Sequence, residues 1–245
     1  MTFLDHLEEL RWRLIRSLLA VVAGAILCWF FIDLLVDGIL LQPVHAVNRT
    51  LGPGQAPFGL QNLKPFGQVF LYMEVAIAGG FILALPYVLY ELWAFIAPGL
   101  MRRERRSVGS IVFFTSFCFL AGIAFAYFVM LPTALRFFAG FGTASIQNNI
   151  AVNEYIRFVL SVMLGAGVVF ELPMVSWFLS RMGLLTPAFM RRYRRHAIVI
   201  IMVLAALLTP GTDPVSQILL AVPLAVLYEI SIGISAAAVR RRSAS

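Results

Sequence analysis

Fifteen of the 19 basic residues stand in four clusters, and long, almost charge-free apolar stretches separate one cluster from the next. The clusters are Arg11, Arg13 and Arg16; Arg102, Arg103, Arg105 and Arg106; Arg181, Arg191, Arg192, Arg194 and Arg195; and Arg240, Arg241 and Arg242. Only Arg49, Lys64, Arg136 and Arg157 fall elsewhere. Backbone inside a bilayer must satisfy its own hydrogen bonds, so apolar stretches of this length fold as spanning helices. Connections on the cytoplasmic side carry the Lys/Arg excess, which places the clustered connections inside, the sparse ones outside and both termini in the cytoplasm.

Composition agrees. Hydrophobic residues make up 61% and charged residues 13%, with mean hydropathy +0.90, against about 25% charged in a soluble domain. The net charge of +7 and pI near 10.0 are used up by the topology pattern. No groove-reading motif accompanies them, so nucleic acid is not an expected partner. Cys28 and Cys118 lie in apolar segments without a nearby Cys or His at ligand spacing, and read as small hydrophobes rather than a disulfide or a metal site. The basic N-terminus before an apolar run has the outline of a signal peptide. Phe30, Phe31, Ile32 and Asp33 end that run without a small-residue cleavage pattern, so it is expected to stay as the first span.

Spanning a bilayer takes about 20 apolar residues at 1.5 Å each. Six segments approach this, at about 17–36, 69–90, 108–131, 158–180, 195–209 and 215–239. The expected fold is an all-α integral membrane protein, a single domain over 1–245 with six helices. The apolar centre of the fifth span, Ala197 to Leu208, reaches only roughly 18 Å against a core of about 30 Å. Spans five and six are therefore expected to form a short hairpin about Thr209-Pro210-Gly211-Thr212-Asp213-Pro214. The first outer connection, with Pro43, Gly52, Pro53, Gly54, Pro57, Gly59 and Pro65, forbids a continuous helix and leaves room for short amphipathic pieces. The first and last three spans differ in length and proline position, against an inverted-repeat transporter.

Phe3, Leu7, Leu10 and Leu14 recur at helical spacing, the stripe of an amphipathic helix that runs into span one along the inner interface. On it, Glu9 and Arg13 stand four apart and Glu8 and Arg11 three apart, which by itself implies no more than a self-paired helix face. Glu104 stands among four arginines, which orient it or are simply compensated by it. The stretch Trp93 to Pro98 is aromatic and apolar although it is a connection, which suits an interface or contact surface. Glu171 lies inside span four, where a carboxylate costs a few kcal/mol and implies a function or a partner; Pro173 should perturb the helix beside it. Glu74 and Glu229 lie nearer span ends and can snorkel. Asp213 and Gln217 flank the start of span six on one helix face. His6, His45 and His196 form no ligand or triad set, and no residue has the neighbours of a catalytic nucleophile, so the chain is not expected to be an enzyme or to carry a cofactor.

These residues also occur as ordered blocks. They are His6-Leu7-x-Glu9-Leu10-Arg11-x-Arg13; Trp93-Ala94-Phe95-Ile96-Ala97-Pro98 through Glu104-Arg105-Arg106; Phe125-Ala126-Tyr127-Phe128; Phe170-Glu171-x-Pro173; and Leu208-Thr209-Pro210 through Asp213-x-x-Ser216-Gln217. In them the chain resembles, over nearly its whole length, the TatC family, the multispanning core subunits of the bacterial twin-arginine translocase. The resemblance implies a cytoplasmic-face receptor for the twin-arginine signal peptides of folded proteins in the inner membrane. It also implies single-span TatA and TatB partners, self-association in a multimeric complex, surrounding membrane lipid, and transport driven by the protonmotive force. By the same resemblance Glu9, Glu104 and Phe95 match the signal-binding residues, and Arg11, Arg13 and Arg106 the supporting surface. Glu171 matches the intramembrane glutamate, while Pro43, Thr209, Asp213 and Gln217 match positions of partner contact or structure. The chain departs from the family where Glu91 replaces a common glutamine, Glu74 a common lysine, and Gly211-Thr212 lengthens a turn that is often Pro-Pro-Asp.

Carboxylates suit such a ligand, because they accept bidentate hydrogen bonds from the planar guanidinium fork. The cost of burying Glu171 motivates a further expectation, that the apolar part of a signal slides along the spans toward it. A proton-coupled small-solute transporter using Glu171 is the alternative reading.

Overall fold

A computed structural model describes residues 3–50, 57–96, 108–140, 149–208 and 214–243, almost all of them helical. The helices are α1 (Phe3–Phe30), α2 (Ile32–Leu35), α3 (Gln42–Thr50), α4 (Gly67–Ile96), α5 (Val108–Phe125), α6 (Leu131–Gly140), α7 (Val152–Val169), α8 (Leu172–Met182), α9 (Pro187–Arg192), α10 (Arg194–Leu208) and α11 (Pro214–Ser243). Short π-helical turns follow α2 at Val36–Leu40 and α5 at Ala126–Met130. Two three-residue strands, β1 (Gly59–Gln61) and β2 (Asn149–Ala151), pair with each other. The chain divides into two compact units, one of Met1–Gln42, Leu60–Phe117 and Asn149–Ile156, the other of Pro43–Gly59, Cys118–Asn148 and Arg157–Ser245.

In the first unit α1 packs along α4, and glycine makes the close approach feasible. A methyl on Gly24 would lie 2.7 Å from the carbonyl oxygen of Gly80, and one on Gly80 would collide with the backbone of Ala25. Beside them Gly79 faces the Cys28 sulfur, which a methyl there would meet at 2.8 Å. Small residues at a membrane helix crossing let backbones touch and gain dispersion contact where no hydrophobic drive exists between helices. At the far end of the pair the buried Asn153 donates its amide to the Gly67 carbonyl at 2.8 Å, and the buried Tyr155 hydroxyl donates to the Leu40 carbonyl at 2.8 Å. The second of these bonds gives a partner to a carbonyl of the π-helical turn.

In the second unit α8 lies against α11 through small polar residues. Ser176, Ser180, Ser231 and Ser235 are all buried, and the hydroxyls of Ser180 and Ser235 are 2.6 Å apart. Gly183 takes φ 80° to close α8, with its N–H and that of Leu184 donating to the Ser180 and Leu179 carbonyls, a left-handed cap that glycine adopts without strain. Thr186 then caps α9 by accepting from the Phe189 N–H at 3.2 Å, with Pro187 at the first helical position. Tyr228 of α11 donates to the Met190 carbonyl of α9 at 2.8 Å.

Five stretches are long and apolar enough to cross a membrane among the described residues: His6–Phe30, Gly67–Ile96, Gly109–Ala139, Val152–Met182 and Gln217–Val239. They fall on five of the six predicted spans. The predicted short fifth span coincides with α10 (Arg194–Leu208), and Gln217 of α11 ties the two helices together by donating to the Met202 carbonyl at 3.0 Å. The amphipathic N-terminal stretch and the first span are one continuous helix, α1, as the absence of Pro and Gly between Phe3 and Val22 allows. Pro43 stands in the first turn of α3, where its missing N–H costs nothing, and the buried Pro43, Val44 and Val47 form that helix's inner face.

Candidate functional site

An ion-paired cluster of the first unit stands at the end of the α1/α4 pair remote from Gly67. The same number of residues separates Gly24 from Arg13 in α1 and Gly80 from Glu91 in α4. In antiparallel helices that brings Arg13 and Glu91 level, about 16 Å from the glycine crossing at 1.5 Å per residue.

Arg13 is the hub. Its Nε and Nη2 donate to Glu9 Oε1 at 3.1 and 2.6 Å, and its Nη1 donates to Glu91 Oε2 at 3.0 Å. The Glu9–Arg13 pair predicted from four-residue spacing therefore forms, with a second carboxylate from another helix. Glu91 is only 4% exposed; its other oxygen, Oε1, accepts from the Tyr87 hydroxyl at 2.9 Å, and Arg16 Nη1 comes within 3.9 Å of it. Glu9 uses one oxygen only. Its Oε2 is buried and has no hydrogen-bond partner among the described residues.

Phe95, the predicted loop aromatic, is the last aromatic residue of α4. Its ring stacks on His6 of α1, with centroids 4.4 Å apart and planes 15° apart. Glu9, Arg13 and Phe95 are thus brought together at one end of two helices. Arg11 is exposed on α1 and makes no ion pair among the described residues. Leu7 and Leu14 of the amphipathic stripe are exposed too, so this face is not covered by the described part of the chain. Glu104 and Arg106 lie outside the described residues, as do Thr209 and Asp213.

The family model described as Sec-independent protein translocase protein (TatC) matches residues 5–223. The chain belongs to the TatC family. The Sec-independent protein translocase protein TatC of Desulforapulum autotrophicum is 42% identical over 230 residues, covering 94% of this chain and 82% of that protein. The Aquifex aeolicus TatC is 34% identical over 244 residues, covering 99% of this chain and 98% of its own. Two crystal structures described as the twin arginine translocase receptor TatC, one of them in DDM, have TM-scores of 0.80 and 0.81 at 35% identity. They cover 94% of this chain and 97% and 99% of theirs. This is a multi-span membrane protein of a protein-translocase family.

The TatC match takes in Glu9, Phe95, Glu104 and Glu171 as well as Gln217, and stops short of the last arginine cluster. In the second unit Glu171 occupies the break between α7 and α8, two residues before Pro173. The ring of Pro173 has no N–H to donate, so the helix restarts at Leu172. Both Glu171 carboxylate oxygens are buried without a hydrogen-bond partner among the described residues. Close packing surrounds the break: a methyl on Gly122 of α5 would lie 2.6 Å from the Ala166 carbonyl oxygen, and Phe125 and Phe170 approach to 5.6 Å. Glu229, expected to snorkel, is half exposed and accepts from Arg194 at 2.8 Å.

The sequence singles out Glu9, Arg13 and Phe95, but shows Glu91 only as a departure from the family pattern and His6 only as part of a matching block and of no ligand or triad set. One local signal was available, the spacing of Tyr87 and Glu91 on one helix face.

Proposed function

We propose that this chain is the receptor subunit of a twin-arginine translocase, binding the signal peptides of folded precursor proteins on the cytoplasmic face of the inner membrane. The single observation that carries the reading is Glu9. Arg13 occupies one of its oxygens while the other is buried without a described partner, three residues along α1 from the His6 that stacks on Phe95. An acceptor without a described partner, on the helix whose His6 stacks on Phe95, suits a guanidinium, which takes hydrogen bonds in its plane and stacks on a ring by its face. Likeness to solved structures described as the twin arginine translocase receptor supports the same assignment.

In this reading Glu9, Phe95 and Glu104 contact the signal, and Arg11, Arg13 and Arg106 hold the surface that carries them. The chain crosses the membrane six times, α10 and α11 forming the short last hairpin, with both termini in the cytoplasm as the arginine clusters require. Pro43, Thr209, Asp213 and Gln217 serve contacts with TatA- and TatB-type subunits or shape the segments that make them, further copies of the chain join the complex, and the protonmotive force drives transport. The test is copurification with a twin-arginine precursor, repeated with both arginines changed to lysine, which keeps the charge and removes the planar fork. Retention of the arginine form with loss of the lysine form is expected; equal recovery of both would overturn the reading.

A further inference from the structure

Arg13 is placed so that it can give up one partner without being left unpaired. Its side chain is 20% exposed, and it bridges Glu9 of its own helix to the deeply buried Glu91 of α4. Removing one partner of a buried, hydrogen-bonded charge pair carries a large penalty because the remaining charge stays desolvated. A guanidinium arriving at Glu9 would meet Arg13 there as a like charge on the same carboxylate. Were Glu9 its only partner, Arg13 would close on it and compete with the newcomer.

Glu91 removes that conflict. It is anchored from two sides, by the Tyr87 hydroxyl at 2.9 Å and by Arg16 at 3.9 Å, so its carboxylate is held where Arg13 reaches it. Glu9 and Glu91 together balance Arg13 and Arg16, and Arg13 is the one guanidinium among the described residues that touches both carboxylates. From this geometry we propose that Glu91 is a positioning residue of the receptor site, the standby counter-ion that takes Arg13 over when an arginine of the incoming peptide occupies Glu9. The proposal rests on the receptor reading above. It makes the Glu9–Arg13 pair a replaceable plug: the ligand guanidinium docks at the open Oε2 and, binding in bidentate fashion, also takes Oε1, on which both Arg13–Glu9 bonds fall, while Arg13 keeps Glu91.

The experiment measures binding of a labelled twin-arginine peptide, and of its twin-lysine version, to the full-length protein in detergent. The proteins compared are the unaltered chain, Glu91→Gln, Glu91→Asp, Arg13→Gln and the Arg13→Gln/Glu91→Gln pair. Glu91→Gln preserves size and removes the charge, and is expected to weaken the arginine peptide about thirtyfold, the lower end of the scale for one lost partner of a buried charge pair. Glu91→Asp is expected to restore most of that loss. With Arg13 already changed to Gln, Glu91 keeps only Arg16 and has no Arg13 to take over from Glu9, so the second change should alter affinity less than about twofold. A general structural role would weaken binding by the same factor in both backgrounds, and that result, or unaltered binding by Glu91→Gln, overturns the proposal.

A second measurement needs no variant to bind. In arginine-labelled protein, the Arg13 side-chain N–H signals, assigned by their loss in Arg13→Lys, should shift when the arginine peptide is added, as the bonds to Glu9 are exchanged. Signals that stay fixed at saturation also overturn it. If the unaltered protein fails to distinguish arginine from lysine peptides, the receptor reading itself falls. If it distinguishes them while Glu91→Gln behaves as the unaltered chain, only the role of Glu91 falls.

Discussion

Glu9 and Arg13 form a pair that uses only half of the carboxylate: both Arg13 bonds fall on Oε1, and Oε2 is left buried without a partner among the described residues. A buried acceptor left without a partner costs stability, and a ligand hydrogen bond at Oε2 would remove that cost. Glu9→Gln is therefore expected to lower affinity for a twin-arginine peptide by roughly 2 kcal/mol or more, the scale for losing one member of a desolvated charge pair. The altered protein should still insert and purify as a folded species. Peptide binding in detergent checks this, and an unchanged affinity would count against Glu9 as the contact.

Glu171 leads to a prediction about stability. Neither of its oxygens finds a partner among the described residues, so no described hydrogen bond is lost when it is replaced. Glu171→Leu should raise the thermal unfolding midpoint in detergent, because burying an unpartnered polar group costs about 1–3 kcal/mol. A lowered midpoint would mean that the carboxylate holds something together.

Ser180 and Ser235 offer a cleaner measurement, since their hydroxyls face each other at 2.6 Å in the α8/α11 contact. Hydrogen bonds between membrane helices average about 0.6 kcal/mol in double-mutant cycles. The Ser180→Ala/Ser235→Ala cycle should return a coupling of that order in unfolding free energy, with peptide affinity unchanged. Additive single effects would show that the contact contributes packing alone.

Gly80 tests the crossing of α1 and α4. A side chain there collides with the Ala25 backbone, which cannot move aside as a rotamer can. Gly80→Val should destabilise the protein by at least the roughly 1–3 kcal/mol of an overpacked core and weaken peptide binding together with stability. The control is Gly109, where added bulk meets nothing within 4 Å among the described residues; Gly109→Ala should leave both readouts in place.

Much of this was legible because it is local or periodic. The continuity of α1 follows from the 3,4 spacing of Phe3, Leu7, Leu10 and Leu14 and from the absence of a breaker. The restart after Glu171 follows from Pro173. The π-helical turns at Val36–Leu40 and Ala126–Met130 carry no such signal. The β1–β2 pairing, three residues on each side, is too short for a period of two to register. The role of Glu91 is the consequential part that sequence does not reveal. In sequence it stands only as a departure from a common glutamine, and only the antiparallel crossing, far away in sequence, brings it level with Arg13.

The glycine crossing has a mechanical consequence. Gly24 and Gly80 meet so closely that they act as a fulcrum, and the Arg13–Glu91 pair sits at the end of an arm of about 16 Å at 1.5 Å per residue. A change of about 5° in the angle between α1 and α4 would displace one arm end against the other by about 1.4 Å over that length. A hydrogen bond does not survive that stretch. A force that tilted α1 against α4 beyond the crossing would therefore register at the carboxylates.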